Sequence, residues 1–184
     1  MKILIVNGAP RSGKDLFCQA AFSRRELIYP ISTIDETKKL AKLLGWDGVK
    51  DERGRKFLSD LKDAMSAYND LPRKYVLKRI YEKCDMLDTQ ASTYTFLSDS
   101  RQLIFLVQAR EPEEIERWVK ENNARTLCIV RGQTQKEWGN HADDAAMNYH
   151  YDYYLSNNGT IEEWLDKSVN FIDMIRKEGW YSHV

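Results

Sequence analysis

Gly8, Gly13 and Lys14 are the residues whose types and spacing carry the most chemistry in this chain. They belong to Gly8-Ala9-Pro10-Arg11-Ser12-Gly13-Lys14-Asp15, which follows an apolar run, Ile3-Leu4-Ile5-Val6, and leads into a helical pattern with Leu16, Phe17, Ala20 and Ala21. Strand, glycine loop and helix in that order, at the spacing G-x-x-x-x-G-K, make a phosphate-binding loop. Glycines let backbone N–H groups approach phosphate oxygens with no Cβ in the way. The helix N-terminus adds partial positive charge, and the lysine reaches the β- and γ-phosphates. Residues 8–15 therefore predict a site for the phosphates of a nucleotide. Asp15 departs from the pattern, because Ser or Thr normally stands there as a magnesium ligand. Three readings fit it: a direct ligand to magnesium, a ligand through water, or a carboxylate that only compensates the helix start.

Other charged residues fall where they can act with this loop. Ser32-Thr33 opens a helical pattern, with Thr33 and Glu36, or Ser32 and Asp35, at capping-box spacing. If residues 27–31 form a neighbouring strand, Asp35 lies near the loop as a general base or metal-side carboxylate, or else serves the helix dipole. Lys38, one turn on, is either a substrate contact or part of a solvated face. Arg53, Arg55 and Lys56 lead another helical pattern and can grip an acceptor phosphate, since arginine bonds phosphate oxygens in pairs. A charged solvated face is the ordinary alternative. Asp51-Glu52-Arg53-Gly54 matches a D-x-x-G pattern, but no strand precedes it and the match is read as chance. Arg110 follows the apolar run 103–107 and so sits at the carboxyl edge of a sheet, where phosphate or substrate contact is the favoured reading.

These residues need a scaffold of alternating strands and helices. Apolar runs at 3–6, 27–31, 103–107, 126–130 and 151–155 predict five strands. Helical faces are predicted from Leu40, Ala41, Leu43 and Leu44, from Phe57, Leu58, Leu61, Ala64, Met65 and Tyr68, and from Val76, Leu77, Ile80, Tyr81, Cys84 and Leu87. A last helix, with Thr160 and Glu163 as a capping box, is predicted to bury Ile161, Trp164, Leu165, Ile172 and Ile175. The pattern is that of an α/β, doubly wound fold with a parallel sheet. The chain reads as one domain, 1–184. Residues 33–100 form a mostly helical insertion between the second and third strands, where an acceptor would bind, and 88–100 read as weak helix or loop. Residues 132–148 are polar and weakly patterned, as a lid or binding loop would be.

Composition sets limits. The 184 residues hold 28 Lys plus Arg and 28 Asp plus Glu, so no global basic field argues for nucleic acid. No apolar run reaches membrane-spanning length. Cys18, Cys84 and Cys128 are far apart, form no metal or redox motif and read as buried thiols. His141 and His150 lack metal-ligand spacing. A cytoplasmic protein is expected.

The chain resembles the P-loop kinases of the nucleoside monophosphate kinase type. Within them, Ser12-Gly13-Lys14-Asp15 is similar to the loop of phage deoxynucleoside monophosphate kinases and animal phosphomevalonate kinases, which also carry Asp after the lysine. Arg110-Glu111-Pro112 and Asn157-Asn158-Gly159-Thr160 resemble that group and the dephospho-coenzyme A kinases. The resemblance implies a three-layer P-loop NTPase fold with a five-stranded parallel sheet, a helical acceptor-binding insertion and a short lid. It implies that Gly8 to Asp15 hold the phosphates of ATP, that Asp35 lies near the acceptor and Mg2+, and that Asn157, Asn158 and Gly159 approach the adenine. Lids of this family usually carry arginines, whereas 132–148 contains none and only Arg131 and Lys136 stand nearby. The reaction implied is transfer of the ATP γ-phosphoryl group to a small phosphorylated acceptor such as a (deoxy)nucleoside monophosphate. Lys14, Arg110 and Arg131 would surround the transferring group, and Asp15 or Asp35 would stand on the metal side. A non-nucleotide acceptor, or a nucleotide-binding regulatory module without transfer, are the alternatives.

Overall fold

The structure is a computed structural model that describes residues 1–91, 103–132 and 149–184. Its centre is β1 (Lys2–Gly8), in which all seven residues are buried. A strand buried along its whole length, with Ile3 to Val6 apolar, must be covered on both faces and flanked on both edges. Both conditions hold. β3 (Ile104–Gln108) pairs with one edge and β4 (Arg125–Val130) with the other, both parallel. β2 (Ile28–Ser32) pairs with β3, and β5 (Tyr153–Ser156) pairs with β4, giving five parallel strands in the order β2-β3-β1-β4-β5. The five expected strands are thus present, with ends shifted by one or two residues.

Alternation along β1 divides the core in two. Ile3 and Ile5 face one layer, with Val76 and Ile80 of α4 (Leu71–Ala91) and Ile115 and Trp118 of α5 (Pro112–Asn122). Leu4 and Val6 face the other, with Phe17 and Ala21 of α1 (Lys14–Arg24) and Trp164, Ile172 and Ile175 of α6 (Ile161–Lys177). Neighbouring strands β1 and β3 therefore send their following helices, α1 and α5, to opposite faces. That arrangement is a topological switch point, and it leaves a crevice at the carboxyl ends of those two strands.

Three helices, α2 (Asp35–Leu43), α3 (Glu52–Asn69) and α4, lie between β2 and β3, where the helical insertion is expected. Its last part, with Tyr94, Phe96 and Leu97, is outside the described residues, as is 133–148 of the lid-like stretch with Lys136 and His141. Several apolar faces are less covered than their spacing predicts. Leu43 is 85% exposed, Tyr68 82% and Ile161 64%, because α2 and α3 pack mainly on each other and on α4, and Ile161 begins its helix ahead of the core. Of the residues expected to be buried on α6, Trp164, Ile172 and Ile175 are, Leu165 is half-buried, and Val169 and Phe171 are buried beside them. The expected cap at Ser32-Thr33 also differs. α2 begins at Asp35 with no side-chain cap, and the Thr33 hydroxyl instead donates to the carbonyl of Gln108. The Asp35 carboxylate reaches back to accept from Ser32 N at 3.0 Å, as the second half of a capping box does. The Thr160–Glu163 capping box of α6 is complete. At the other end of α6, the buried Lys2 ammonium donates to the carbonyls of Ile175, Arg176 and Glu178 around the C-cap, where helix carbonyls run out of intrahelical donors; that of Ile175 also accepts from Glu178 N at 3.3 Å.

Candidate functional site

β1 ends at Gly8 and α1 begins at Lys14, so the loop between them hangs at the carboxyl end of the central strand. Its path needs glycine at two points. Gly8 has φ +144° and no room for a Cβ, which would lie 2.4 Å from the Ile129 carbonyl oxygen. Gly13 has φ +102°, and a Cβ there would meet the Asn157 amide nitrogen at 2.4 Å. Arg11 is also left-handed, at φ 61°, and Ser12 N closes the turn onto the Ala9 carbonyl at 3.1 Å. Alternation of left- and right-handed residues turns successive N–H groups to one side, the geometry that receives anions. Gly13 brings no side-chain oxygen to the first turn of α1, so those N–H groups can serve phosphate oxygens. Ser12 Oγ is fully buried against the loop with no hydrogen-bond partner among the described residues, an orphan that a bound oxyanion would satisfy.

Lys14 folds back over the loop. Its ammonium donates to the carbonyls of Gly8 at 2.5 Å and Ala9 at 2.7 Å, so the charge already stands over the loop. Asp15 is exposed in the first turn of α1, and its Oδ1 accepts from the Gln108 amide at 3.1 Å. Gln108 also donates to Cys18 Sγ at 3.5 Å. Burial pushes the Cys18 thiol up to about 12, so it stays protonated. Gln108 closes β3, whose neighbour is β1, and its own carbonyl accepts from Thr33 N and Thr33 Oγ1, each at 3.3 Å. One residue therefore joins the loop helix to the start of the helical insertion.

Arg110 and Arg131 follow β3 and β4, the two neighbours of β1, and so stand at the sheet edge on either side of the loop strand. Arg110 is exposed and Arg131 half-buried. The Arg110 backbone is tied to Asn7, a residue buried just ahead of the loop. The Asn7 amide donates to the Arg110 carbonyl at 3.4 Å and to the Tyr151 hydroxyl at 2.9 Å, while its Oδ1 accepts from Gly8 N at 2.8 Å. Burial, above all, pushes the Tyr151 hydroxyl upward, so it stays neutral.

Asp35 lies beyond β2, two strands from β1, held by Ser32 N and 3.7 Å from the Lys38 ammonium. Asp35 and Lys38 are thus an ion pair at the carboxyl edge of the sheet. The basic cluster is on the exposed start of α3. Lys56 pairs with Asp60 at 2.8 Å, and Arg55 donates to the Lys50 carbonyl at 3.0 Å, so their bonds stay within α3 and the turn before it. Arg53 is exposed beside them. The D-x-x-G pattern has a local cause. Asp51 is the N-cap of α3 and accepts from Gly54 N at 2.7 Å, and Gly54 is packed so tightly that a Cβ would lie 2.1 Å from the Val49 carbonyl.

The turn after β5 closes the site from the other side. Asn157 is buried, and its amide donates to the Ser12 carbonyl at 2.8 Å. Trp164 Nε1 donates to the Gly13 carbonyl at 3.4 Å. Asn158 accepts from Gly132 N at 2.8 Å, which ties the turn to the end of β4. A cavity of about 270 Å³ opens here, lined by Asn157, Asn158, Gly159, Trp164 and Lys167 among others. Asn7, Gln108, Tyr151 and Trp164 are the site residues that spacing does not single out. Each is positioned by a partner more than ninety residues away in the chain.

The loop fits a nucleotide's phosphates: left-handed glycines, an uncapped helix start, an orphaned hydroxyl and a lysine above them. Among the described residues no group of three or more His, Cys, Asp or Glu side chains could hold a cation. Magnesium usually binds through one or two carboxylates together with substrate phosphates, and Asp15 fits that use. No described helix is long and apolar enough to cross a membrane.

The fold is an α/β fold with a five-stranded parallel sheet and a phosphate-loop geometry at its switch point. It is similar to TT1252 from Thermus thermophilus, with a TM-score of 0.52 and 13% identity over 97% of this chain and 98% of that one. The dephospho-CoA kinase from Campylobacter jejuni superposes over 96% of this chain and 98% of its own, with a TM-score of 0.47 and 14% identity. At such identities the likeness to TT1252 concerns the fold alone. No family model matches the sequence, and no curated protein matches it.

Proposed function

We propose that this chain transfers the γ-phosphoryl group of ATP to a small phosphorylated acceptor, with a (deoxy)nucleoside monophosphate as the first acceptor class. The observation that carries the reading is the placement of Lys14 over a left-handed glycine loop, with Arg110 and Arg131 at the ends of the two strands beside it. Phosphoryl transfer asks little covalent chemistry of a protein and much positioning of positive charge. The loop amides from Gly8 to Asp15 hold the non-transferring phosphates. Lys14 leaves the carbonyls of Gly8 and Ala9 for the β- and γ-oxygens, where it offsets the charge that develops on them. Arg110 and Arg131 approach the transferring group from opposite sides. Asp15 is the carboxylate beside the loop that would hold a magnesium ion, which would supply positive charge to the phosphate oxygens. Asp35 faces the acceptor side, where Lys38 and the Arg53, Arg55 and Lys56 cluster offer charge to the acceptor's phosphate. The cavity at Asn157, Asn158 and Gly159 takes the base of the donor.

The test is ADP production with magnesium and ATP against a panel of acceptors: ribo- and deoxynucleoside monophosphates, dephospho-coenzyme A and phosphomevalonate. Acceptor-dependent ADP production that falls by at least about two to three orders of magnitude in Lys14→Ala is the expected result. Undiminished turnover in that variant removes the loop from the chemistry. ATP binding with no acceptor dependence across a widened panel favours a nucleotide-binding regulatory module instead.

A further inference from the structure

Gln108 is half-buried at the end of β3, and its groups are committed to both sides of the switch point. Its amide nitrogen has two hydrogens, and the two acceptors in reach are Asp15 Oδ1 at 3.1 Å and Cys18 Sγ at 3.5 Å. An ionised carboxylate only accepts, so the NH2 group must face it and the amide has one useful orientation. The residue cannot drift as a whole either. Its main chain is paired in β3 with Val6 on one side and Ser32 on the other, and its carbonyl accepts twice from Thr33. Asp15, by contrast, is exposed on the first turn of α1, where a lone carboxylate turns among several rotamers. A fixed donor against an otherwise mobile acceptor sets the acceptor's direction. The pair also carries a single negative charge. A second carboxylate at position 108 would stand against Asp15 and against a triphosphate, whereas the amide orients without adding repulsion.

We propose that Gln108 is the positioning residue that holds the Asp15 carboxylate beside the loop as the cation-side group of the bound nucleotide. The proposal rests on the phosphate-loop reading above. It separates two affinities that a general loss of structure would change together. Metal-free ATP reads Lys14 and the loop amides. The gain in affinity when magnesium is added reads Asp15 and whatever orients it.

The experiment is calorimetric titration of the full chain with ATP, in excess chelator and in excess magnesium. It uses wild type, Gln108→Met, Gln108→Asn, Asp15→Asn and the Gln108→Met/Asp15→Asn double variant. Gln108→Met keeps length without the amide. Gln108→Asn keeps the amide one methylene short of Asp15, which preserves a polar fold if methionine does not fold. Orienting partners behind a metal ligand are typically worth about ten- to hundredfold in metal affinity. The expected result is a magnesium-dependent gain reduced about tenfold or more in both single Gln108 variants, with metal-free affinity within about twofold of wild type. The double variant should be no worse than Asp15→Asn, because the two residues act through one carboxylate. A full magnesium gain in either folded Gln108 variant, or losses that add in the double variant, overturns the proposal while leaving the loop reading intact. Absence of any ATP binding by wild type overturns the loop reading itself, and the proposal with it.

Discussion

Asn157→Ala separates a loop-holding role from a base-contacting one. Asn157 is 7% exposed, its amide donates to the Ser12 carbonyl at 2.8 Å, and its own N–H is bound to the Val130 carbonyl at 2.8 Å. Alanine keeps the main-chain bond and removes the side-chain one. The Ser12 carbonyl is then left in a buried setting without that donor, a loss of about 1–3 kcal/mol. Against a total stability of about 5–15 kcal/mol, a midpoint near 2 kcal/mol shifts the melting temperature of a chain this long by about 4–8 °C. The same bond shapes the loop, so ligand affinity should fall too, by about fivefold if roughly 1 kcal/mol of that loss is recovered on binding. The assay is thermal unfolding together with titration by ATP and by inorganic tripolyphosphate, which has the phosphates and no base. Equal weakening for both ligands is expected, because the side chain acts through Ser12. A melting temperature unchanged within about 1 °C, or weakening for ATP alone, would refute the reasoning and move the side chain from the loop to the base.

Two further outcomes follow from titratable groups. Burial raises Asp152, but bonds from Arg125 at 2.8 Å and from Thr126 N and Oγ1 at 2.9 and 2.8 Å outweigh it and hold the carboxyl below the usual carboxylate range. A carboxylate depressed in the folded state stabilises above its unfolded value, near about 3.9, and that stability is lost as pH falls through the folded value. Asp152→Asn should therefore be less stable than wild type in urea at neutral pH, with the difference closing below about pH 4; a constant difference across that range argues against the assignment. Burial also pushes the Cys18 thiol up to about 12 and the Cys128 thiol up to about 11. At pH 8 fewer than about one in a thousand of either is thiolate, so a disulfide reagent should modify neither until the chain unfolds. Rapid native modification of Cys18, read by mass spectrometry, would show that its surroundings beside Gln108 are open.

The parts of this fold that sequence makes legible are those whose cause is local. Ile3 to Val6 must be a covered strand because no polar residue interrupts it, and Gly8, Gly13 and Lys14 stand within six residues of one another, so their chemistry needs no knowledge of topology. Thr160 and Glu163 cap α6 for the same reason. Where two local rules compete, tertiary contacts choose. Thr33 has capping-box spacing to Glu36, yet its hydroxyl turns to the Gln108 carbonyl, because β2 lies beside β3. Apolar spacing likewise states that Leu43 and Tyr68 share helical faces with core residues, but not that another element will cover them. Both are exposed, since among the described residues α2 and α3 pack mainly on each other and on α4.

What sequence leaves hidden is the order of strands, and the rest of the site depends on it. Arg110 and Arg131 can be placed at a sheet edge from their position after apolar runs. That they flank the loop strand requires β3 and β4 to be its two neighbours. Gln108 meets Asp15 only because β3 lies beside β1 while α1 and α5 go to opposite faces, which opens the crevice between them. Asn7 is similar: one ordinary asparagine before a glycine becomes a three-way tie between Gly8, Arg110 and Tyr151 because its strand is central. The charged residues proposed to meet a phosphate are thus readable from spacing. The neutral residues bonded to them or to the loop, Asn7, Gln108 and Asn157, are readable only from the sheet. That division follows from chemistry, since an amide orients a charged neighbour by hydrogen bonding without adding a charge of its own to the proposed phosphate site.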